Sequence, residues 1–577
     1  MKNRDKNRDT ALTALQLTTI ATAALLLTGC AGGGGDEIHS AGAPPRLSAA
    51  TAATLISCTD LTTKLTLANT TITGANSIAA GVLTIAGKPI PAHCQVTGRM
   101  FDRVGPVDGA RYAIGFEMRL PLNWNGRFFY QANGGLDGIV TPATGAPGGG
   151  GPLDNALNMG FAVLSSDAGH GAPTPAFGID PQARLDYGYQ AVGKLTPMAK
   201  SLIDAAYGKR PDRSYIGGCS NGGRHAFVAA ARYAEQYDGY LIGNPGFRLP
   251  LAAIANIAGA KVYNTLASTP GDLSTGFTQA ERTTVEKAVL GKCDALDGAT
   301  DGMIQNTQAC QAAFDLDRDV PICTAARDGS CLSPAQKTAI GGLFKGAATS
   351  TGNRFYASWP YDNGLSTRNW AEWKFNSALT RDPGAVGLVW QAPPENPASF
   401  NGPNFALTGN IDSMLALVGA TTATYTESAL SFMLPPNPTN LATLKNRGAK
   451  VMVYHGTADP IFSSDDTTTW YEGLRGANGG DASNFARFYR VPGMNHCGNG
   501  PATEQFDMLT PLVNWVERGQ APDSVIASAR GAGNAAGANP DVPANWSATR
   551  TRPLCPYPKA AKYKGGSIED AASFSCE

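Results

Sequence analysis

Residues 214–222 have the sequence SYIGGCSNG, which contains the pattern Gly-x-Ser-x-Gly around Ser220. In this pattern a strand turns sharply into a helix and holds a serine nucleophile above the edge of a sheet. Residues 214–217 predict the strand, and the residues from Gly222 to Tyr237 predict the helix. A chain with 68 glycines among 577 residues can produce the pentapeptide by chance, so this strand–turn–helix context gives the pattern its weight.

A histidine with a cysteine neighbour occurs far downstream, in the tripeptide Asn495-His496-Cys497. Ser220 also has a cysteine neighbour, Cys219. If Ser220 and His496 approach closely enough to share a proton, Cys219 and Cys497 are brought close enough to form a disulfide. One geometric hypothesis therefore accounts for both cysteines, and it predicts a serine esterase.

A serine nucleophile needs a base to deprotonate it and an acid to orient that base. In α/β-hydrolases these residues follow one another in the order serine, acid, histidine. Asp459 follows the predicted strand 450–454, and His496 follows the predicted strand 485–491. Order and strand ends both fit, so we predict the triad Ser220, Asp459 and His496.

Other histidines and carboxylates compete for these roles. His170 follows a strand, and we weigh a place in the pocket wall against a structural role. His225 lies one turn into the helix after Ser220 and is expected to point away from the substrate. His455 is expected to be structural, and Asp465 and Asp466 are expected to cap the next helix.

Acyl transfer also needs two N–H groups that stabilise the developing oxyanion. One is expected from Asn221, directly after the nucleophile. The other is expected from the glycine-rich loop 131–136, where we favour Gly135 over Gly134. The alternative for this loop is a plain tight turn.

The remaining patterns indicate a mostly parallel sheet covered by helices on both faces. Strands are predicted at 111–121, 126–130 and 160–166, and a helix is predicted at 189–207. Between the nucleophile and the other triad candidates the chain is rich in Gly, Ser, Thr, Asn and Pro and shows little strand alternation. We therefore predict an α/β-hydrolase core at 51–250 and 441–577 with a large inserted lid domain at 251–440.

The amino-acid composition limits the possible binding partners and the cellular compartment of the protein. The counts of basic and acidic residues are both 46, so nothing favours nucleic acid as a partner. Of the eleven cysteines, ten remain if Cys30 is lipidated, an even number that an oxidising compartment favours. Ten cysteines allow many disulfide connectivities. Proximity in the sequence favours four pairs, Cys58–Cys94, Cys293–Cys310, Cys323–Cys331 and Cys555–Cys576. Cys219 and Cys497 then remain for each other.

The first 30 residues are typical of an export signal, with a basic start and an apolar run that ends in Leu27-Thr28-Gly29-Cys30. This ending resembles a bacterial lipobox, in which the cysteine is lipidated; the alternative is an ordinary signal peptide. Residue 31 is Ala rather than Asp, which by resemblance to Gram-negative sorting favours the outer membrane. Residues 31–50 are Gly-, Ala- and Pro-rich and predict a flexible tether. We expect an outer-membrane lipoprotein or a secreted or periplasmic protein.

The loop from Cys293 to Met303, CDALDGATDGM, combines carboxylates with glycines that permit sharp turns. Oxygen donors of this kind suit Ca²⁺. We predict a structural calcium ion held by side chains of Asp294, Asp297 and Asp301 and by the carbonyls of Ala299 and Met303. Plain Asp-Gly turns are the alternative, and no organic cofactor is expected.

Together these residues resemble the tannase and feruloyl esterase family of α/β-hydrolases. The resemblance rests on residues 214–224, 293–303 and 492–497 and extends from about Cys58 to the C-terminus. It implies the catalytic set named above, the disulfide Cys219–Cys497, oxyanion donors at Gly135 and Asn221, and the calcium ion in the lid.

The resemblance also implies pocket residues. Phe462 matches an aromatic residue of the substrate pocket, and Trp373 matches a pocket tryptophan of the lid. In a terephthalate half-ester hydrolase of the family, a lid arginine holds the free carboxylate of the substrate. Arg381 is the candidate here, and it is equally explained as a solvated surface charge.

These observations predict a hydrolase that acts on small aromatic acyl esters through an acyl-enzyme. The alternatives are a non-catalytic surface-binding lipoprotein on a hydrolase scaffold and a serine peptidase. We expect a monomer. Aromatic residues of the lid suggest that a flat ring is gripped, although lid core is the other explanation; they are Trp370, Trp373, Phe375 and Trp390.

Overall fold

A computed structural model describes residues 44–150 and 154–577. Its centre is a nine-stranded sheet, and we number its strands in chain order. They are β1 Thr70–Ile78, β2 His93–Val104, β3 Arg111–Pro121, β4 Arg127–Gln131, β5 Ala162–Ser166, β6 Arg213–Cys219, β7 Gly239–Gly243, β8 Lys450–Gly456 and β9 Ala486–Val491. Two-residue to four-residue strands form small sheets outside it, at Ala53–Thr54, Thr84–Ile85, Lys88–Pro89, Asn123–Trp124, Val525–Ser528, Thr551–Leu554, Ala561–Tyr563 and Phe574–Cys576.

The α-helices of seven or more residues in the described part of the chain are also numbered in order. They are α1 Ala191–Tyr207, α2 Asn221–Arg232, α3 Leu249–Leu266, α4 Gln279–Cys293, α5 Thr307–Ala313, α6 Pro334–Phe344, α7 Gly402–Thr408, α8 Ile411–Val418, α9 Ser464–Ala477 and α10 Leu509–Arg518. Shorter helical turns connect them in the lid, among them Arg368–Ala371, Glu372–Asn376, Arg381–Gly384 and Ala385–Trp390.

The sheet has the spatial order β9-β8-β7-β6-β4-β5-β3-β2-β1. The strands from β9 to β5 pair in parallel. Every residue of β5, β7 and β8 is buried, as expected for parallel strands covered by helices on both faces. The parallel strands therefore place their carboxyl ends along one edge, where loops gather functional residues.

The other end of the sheet is antiparallel, which the sequence did not reveal. Strand β5 pairs with β3, β3 with β2, and β2 with β1, all antiparallel. Both β1 and β2 contain a register shift, and β2 alternates buried and exposed residues only in part. These irregularities blur the period of two by which strands are recognised.

The predicted elements differ from the observed ones mainly at their ends. Strand β3 has the predicted bounds, whereas the helix predicted to reach Tyr237 ends at Arg232. Only six residues separate Arg232 from the start of β7 at Gly239, so the helix must end early for the chain to return to the sheet.

Between β7 and β8 the structure contains helices and turns but no strand of the central sheet. Residues 244–449 therefore form an insertion in the sheet, and the predicted lid 251–440 lies within it. Disulfides Cys293–Cys310 and Cys323–Cys331 lie inside it. An apolar cluster around Phe277 and Trp370 lies within it, and a second cluster around α3 joins it to core residues such as Tyr187 and Phe462. The predicted fold class, an α/β-hydrolase core with a large inserted lid, is confirmed.

The N-terminal predictions fall partly outside the described residues. Cys30 and the signal segment lie there, as does the tether up to residue 43. Within the described part the tether prediction needs correction, because Leu47 packs against the core and Ala50 N donates to Glu517 Oε2 at 3.0 Å. Among the helices of residues 44–150 and 154–577, none has the length and apolar character to cross a membrane.

Candidate active site

Ser220 lies in the sharp turn between β6 and α2 with φ 66° and ψ −128°, a backbone conformation that costs energy for a residue with a side chain. The motif glycines make this turn possible. A Cβ on Gly218 or on Gly222 would lie 2.3 Å from Ala132 O. The Gly-x-Ser-x-Gly pattern is therefore a requirement of backbone packing beside β4, and it holds the serine at the carboxyl edge of the sheet.

Asp459 and His496 form the buried pair that the sequence predicts. His496 Nδ1 donates to Asp459 Oδ2 at 2.8 Å, and Asn244 Nδ2 donates to the same oxygen at 2.7 Å. The other oxygen, Asp459 Oδ1, accepts from the backbone N–H groups of Ile461 at 2.9 Å and Phe462 at 3.1 Å. Both oxygens of the carboxylate are therefore held, and the imidazole is fixed in the tautomer that leaves Nε2 free to act as a base.

His455 is the structural histidine that the sequence predicts, and it also supports Asp459. It is fully buried at the end of β8, with Nε2 3.0 Å from Phe462 O and 3.3 Å from Asp459 Oδ2. Its Nδ1 accepts from Thr467 Oγ1 at 2.9 Å. Burial acts to raise the pKa of Asp459, but the contacts with His496 and His455 overcome it and hold that pKa well below its usual value. The carboxylate is therefore ionised.

The serine and the histidine are drawn together by their cysteine neighbours. Cys219 and Cys497 form a disulfide with their Cα atoms 6.0 Å apart. The rings of Trp373 and Phe462 contact the imidazole of His496, with centroids 5.0 and 5.2 Å away, and both rings line the cavity that contains Ser220. Within the described residues no hydrogen bond joins Ser220 Oγ to His496; such a contact often tightens only when substrate binds.

Asn495 locks the histidine loop to the aspartate loop. Its buried side chain donates from Nδ2 to Ala458 O at 3.0 Å and accepts from Thr367 Oγ1 at 2.8 Å. Ala458 precedes Asp459, and Asn495 precedes His496, so one amide fixes the backbone beside both members of the pair. Thr367 belongs to the lid, which is thereby connected to the aspartate and histidine loops.

The predicted oxyanion donors come from two different segments, the loop after β4 and the start of α2. Asn221 is the first residue of α2, and Gly135 has φ 65°, a conformation that favours glycine. Gly134, the rival, packs closer to the serine, since a Cβ on it would lie 3.7 Å from Ser220 Cβ. All three line the same cavity as Ser220.

His225 does not line the cavity beside Ser220 and contacts Asp137 instead. Its Nε2 donates to Asp137 Oδ2 at 2.8 Å, and Asn221 Nδ2 donates to that oxygen at 2.8 Å as well. Asp137 is not among the residues that the sequence predicts for the site. The spacing of Asn221 and His225, four residues apart on one helix face, is the only local signal that could have pointed to this contact.

His170 is also structural, so the interpretation that places it in the pocket wall is wrong. Its ring stacks on Phe177 at 3.7 Å between centroids, and its Nε2 donates to Leu136 O at 2.6 Å. Burial lowers the pKa of His170 to about 4, so the imidazole is neutral and holds the loop 131–136 through the Leu136 carbonyl.

Asp465 and Asp466 lie in the first turn of α9, but neither is its cap. Ser463 is the N-cap and accepts from Asp465 N at 3.1 Å. Asp466 instead forms an ion pair with Arg248, and Asp465 accepts from Ser358 Oγ at 2.7 Å. Both carboxylates are thus committed to structure and do not compete with Asp459.

A cavity of about 430 Å³ opens beside Ser220, between the core and the lid. The predicted pocket residues Phe462, Trp373 and Arg381 all line it, and so does Trp390. The other two lid aromatics have a different place, since they pack inside the lid; these are Trp370 and Phe375.

Arg381 contributes a positive charge at the mouth of this cavity. Its side chain is 58% exposed, its guanidinium lies over Trp373 at 4.8 Å from the ring centroid, and Nη2 is 3.9 Å from Glu372 Oε1. Next to it, Asp382 is buried in the cavity wall, and burial raises the pKa of its carboxyl to about 8. Burial therefore favours the neutral form of the Asp382 carboxyl, which leaves Arg381 as the charged group beside it.

The acidic loop of the lid is compact and partly buried. Asp294 Oδ1 accepts from the N–H groups of Asp301 and Gly302 at 2.9 and 3.0 Å, and Asp301 forms a buried ion pair with Arg552. Asp297 Oδ2 is buried without a hydrogen-bond partner, and burial raises the pKa of Asp297 to about 7, with Asp301 and Asp294 adding to the shift.

The loop is not a closed metal centre as it stands. Across residues 44–150 and 154–577, no group of three or more His, Cys, Asp and Glu side chains is arranged to hold a metal ion. The donor chemistry nevertheless fits a hard cation, because the loop combines three carboxylates, an unpartnered carboxylate oxygen and nearby carbonyl groups.

All five predicted disulfide pairs are bonded in the structure. Besides Cys219–Cys497 they are Cys58–Cys94, Cys293–Cys310, Cys323–Cys331 and Cys555–Cys576. Five disulfides are typical of a protein exported to an oxidising compartment.

The fold and this site define a carboxylic ester hydrolase built on the α/β-hydrolase fold. More particularly, the chain belongs to the tannase and feruloyl esterase family, whose profile matches residues 94–577. It is 38% identical over 547 residues to the mono(2-hydroxyethyl) terephthalate hydrolase of Piscinibacter sakaiensis, covering 86% of this chain and 87% of that one.

Solved structures support the fold. Feruloyl esterase B from Aspergillus oryzae superposes with a TM-score of 0.71 at 23% identity, covering 90% of this chain and 99% of that one. The tannin acyl hydrolase of Aspergillus niger gives a TM-score of 0.63 at 19% identity, covering 89% of this chain and 92% of that one.

Proposed function

We propose that this protein hydrolyses esters of small aromatic carboxylic acids through a covalent acyl-enzyme on Ser220. The observation that carries the proposal is the buried Asp459–His496 pair, placed by the Cys219–Cys497 disulfide beside a strained serine. The names of its relatives, a mono(2-hydroxyethyl) terephthalate hydrolase and feruloyl esterases, support aromatic acyl groups. Rings of Trp373 and Phe462 in the cavity wall offer flat apolar surfaces for such a group.

In the first half of the reaction His496 Nε2 takes the proton of Ser220 as Oγ attacks the ester carbonyl carbon. The carbonyl oxygen becomes an oxyanion and accepts hydrogen bonds from the N–H groups of Gly135 and Asn221. The C–O bond to the alcohol then breaks, and the alcohol leaves with the proton carried by His496.

In the second half a water molecule replaces the alcohol. His496 takes its proton while the oxygen attacks the acyl-enzyme, the same oxyanion site is used again, and the acid leaves as Ser220 recovers its proton. Asp459 stays ionised throughout, since His455, Asn244 and two backbone N–H groups contact its carboxylate. Its negative charge stabilises the imidazolium in both halves.

The lid loop 293–303 is proposed to bind a structural Ca²⁺. Asp294, Asp297 and Asp301 would supply side-chain oxygens, and Ala299 and Met303 would supply carbonyls. A bound cation would supply positive charge to the unpartnered oxygen of Asp297 and would rigidify the lid. It would take no part in the chemistry at Ser220.

Attachment to the outer membrane through a lipidated Cys30 is likewise a proposal, supported by the lipobox-like sequence. The mass of the N-terminal peptide from the native host tests it. The expected peptide begins at Cys30 and exceeds the mass of its amino acids by the mass of the attached lipid. An unlipidated peptide that begins at another residue would indicate ordinary secretion.

Replacement of the nucleophile tests the proposed chemistry. Ser220→Ala is expected to lower kcat for p-nitrophenyl benzoate by at least about 10⁴-fold, because the acyl-enzyme cannot form. Ser399→Ala, at an exposed lid serine, is the matched control and should keep wild-type activity. Equal activities of the two variants would show that Ser220 is not the nucleophile.

A further inference from the structure

The two oxyanion donors belong to different loops that one carboxylate joins. Gly135 lies in the loop after β4, and Asn221 begins α2. Asp137, two residues after Gly135, reaches across to α2, where its Oδ2 accepts from Asn221 Nδ2 and from His225 Nε2, both at 2.8 Å. The side chain of Asp137 therefore connects the loop of one donor to the first turn that carries the other.

The far end of Asn221 is held just as firmly. Arg224 Nε donates to Asn221 Oδ1 at 2.6 Å, and the Arg224 guanidinium is itself held by the carbonyls of Tyr187 at 2.9 Å and Gly188 at 2.7 Å. The amide of Asn221 thus lies between a carboxylate and a guanidinium. Asn221 is 2% exposed, so these two side chains fix the orientation of its amide.

The histidine completes the connection as a neutral donor. His225 is 3% exposed, and burial, reinforced by the charge of Arg224, lowers its pKa. The neutral ring places its N–H on Nε2, against Asp137. Its position on α2 ties the helix to Asp137 one turn beyond Asn221.

A purely structural role explains this arrangement poorly. Asp137 is only 7% exposed, yet it lines the catalytic cavity together with Ser220 and both donor residues. A carboxylate at that place opposes the negative charge that develops on the substrate oxygen. The contacts of Asp137 offset this cost in one way: they fix the spacing of the two donors.

We propose that Asp137 is a positioning residue for ester hydrolysis. Supported by His225, it holds the Gly135 loop against the first turn of α2, so that both backbone N–H groups reach one oxyanion. The proposal rests on the proposed function, since it assumes that Ser220 forms a tetrahedral adduct in this cavity.

The test separates tetrahedral binding from ground-state binding. In Asp137→Asn, kcat for p-nitrophenyl benzoate should fall about 10- to 100-fold with KM nearly unchanged, because the donors shift away from the oxyanion. Phenylboronic acid, which forms a tetrahedral adduct with a serine, should bind more weakly by a similar factor. Benzoate, a planar product, should inhibit as in the wild type.

Two further variants make the result specific. His225→Gln should show the same selective loss, and the double variant should lose little more than either single one, because both act through one contact. Asp167→Asn is the matched control: this buried aspartate accepts from Gly115 N and Gly169 N, both at 2.9 Å, and within the described residues it forms no hydrogen bond with Asn221. It should leave the ratio of boronate to benzoate affinity unchanged.

Three results would overturn the proposal. They are an unchanged kcat in Asp137→Asn, an equal weakening of boronate and benzoate, and the same selective loss in Asp167→Asn. If Asp137→Asn fails to fold, His225→Gln decides by the same comparison. Boronate that binds Ser220→Ala as tightly as the wild type would instead show that the proposed function is wrong, and the positioning role would fall with it.

Discussion

Removal of the disulfide between Cys219 and Cys497 should damage catalysis beyond its effect on folding. The bond closes a loop of 278 residues, for which the chain-entropy relation gives about 5–6 kcal/mol of stability. That value is large, but the serine turn and the histidine loop remain anchored on β6 and β9, two strands of one sheet. In the Cys219→Ala/Cys497→Ala variant we therefore expect a folded protein at 25 °C with a lower unfolding temperature.

Its activity should fall further than its folded fraction. Without the bond, His496 keeps Asp459 as a partner but loses its connection to the Ser220 turn, and a displacement of about 1 Å costs about 100-fold in rate. We expect kcat per folded molecule to fall about 10- to 100-fold. Circular dichroism gives the folded fraction, and p-nitrophenyl benzoate hydrolysis gives kcat.

A second disulfide supplies the control. Cys58–Cys94 closes a loop of 36 residues away from the site, for which the same relation gives about 4 kcal/mol. The Cys58→Ala/Cys94→Ala variant should lose stability without losing kcat per folded molecule. If activity and folded fraction fall together in Cys219→Ala/Cys497→Ala, the bond only stabilises the fold and the reasoning is refuted.

Three other predictions concern the acid, the lid loop and a buried carboxyl. Asp459→Asn should lower kcat about 10⁴-fold while leaving the protein folded, because the amide cannot hold His496 in the working tautomer; kcat and circular dichroism check it. A calcium chelator should lower the free energy of unfolding by about 2.7 kcal/mol, the value for an ion present at 100 times its Kd, and so lower the unfolding midpoint. Added Ca²⁺ should restore the midpoint, and Asp297→Asn should abolish this response. Burial raises the pKa of Asp167 from 3.8 to about 7, so the stability linked to its protonation is present below pH 4 and lost as pH rises to 7. Urea unfolding across that range should show a shallower decline in Asp167→Asn; parallel declines would contradict the assignment.

The parts of the site that the sequence predicts are those that short patterns encode. The turn around Ser220 depends on Gly218 and Gly222, which have no side chain and so leave room for the Ala132 carbonyl. Asp459 and His496 each follow a buried strand, and parallel strands bring their ends to one edge of a sheet. These placements depend on local sequence and on one general rule of sheet geometry.

The contacts that tune the site join residues far apart in the chain. Asp137 and His225 are 88 residues apart in the sequence, and Asn244 and Asp459 are 215 residues apart. No local sequence pattern predicts either hydrogen bond. His170 shows the converse, since a strand-end position suggested the cavity while stacking on Phe177 turned the ring away from it. Only packing in three dimensions decides such cases.

A trapped acyl-enzyme would identify the nucleophile. The protein is mixed with p-nitrophenyl benzoate, quenched in acid within the first turnover, digested and examined by mass spectrometry. We expect one benzoyl group per chain, carried by the peptide that contains Ser220 and absent from Ser220→Ala. Rapid hydrolysis with no benzoylated peptide, or with the benzoyl group on another residue, would contradict it.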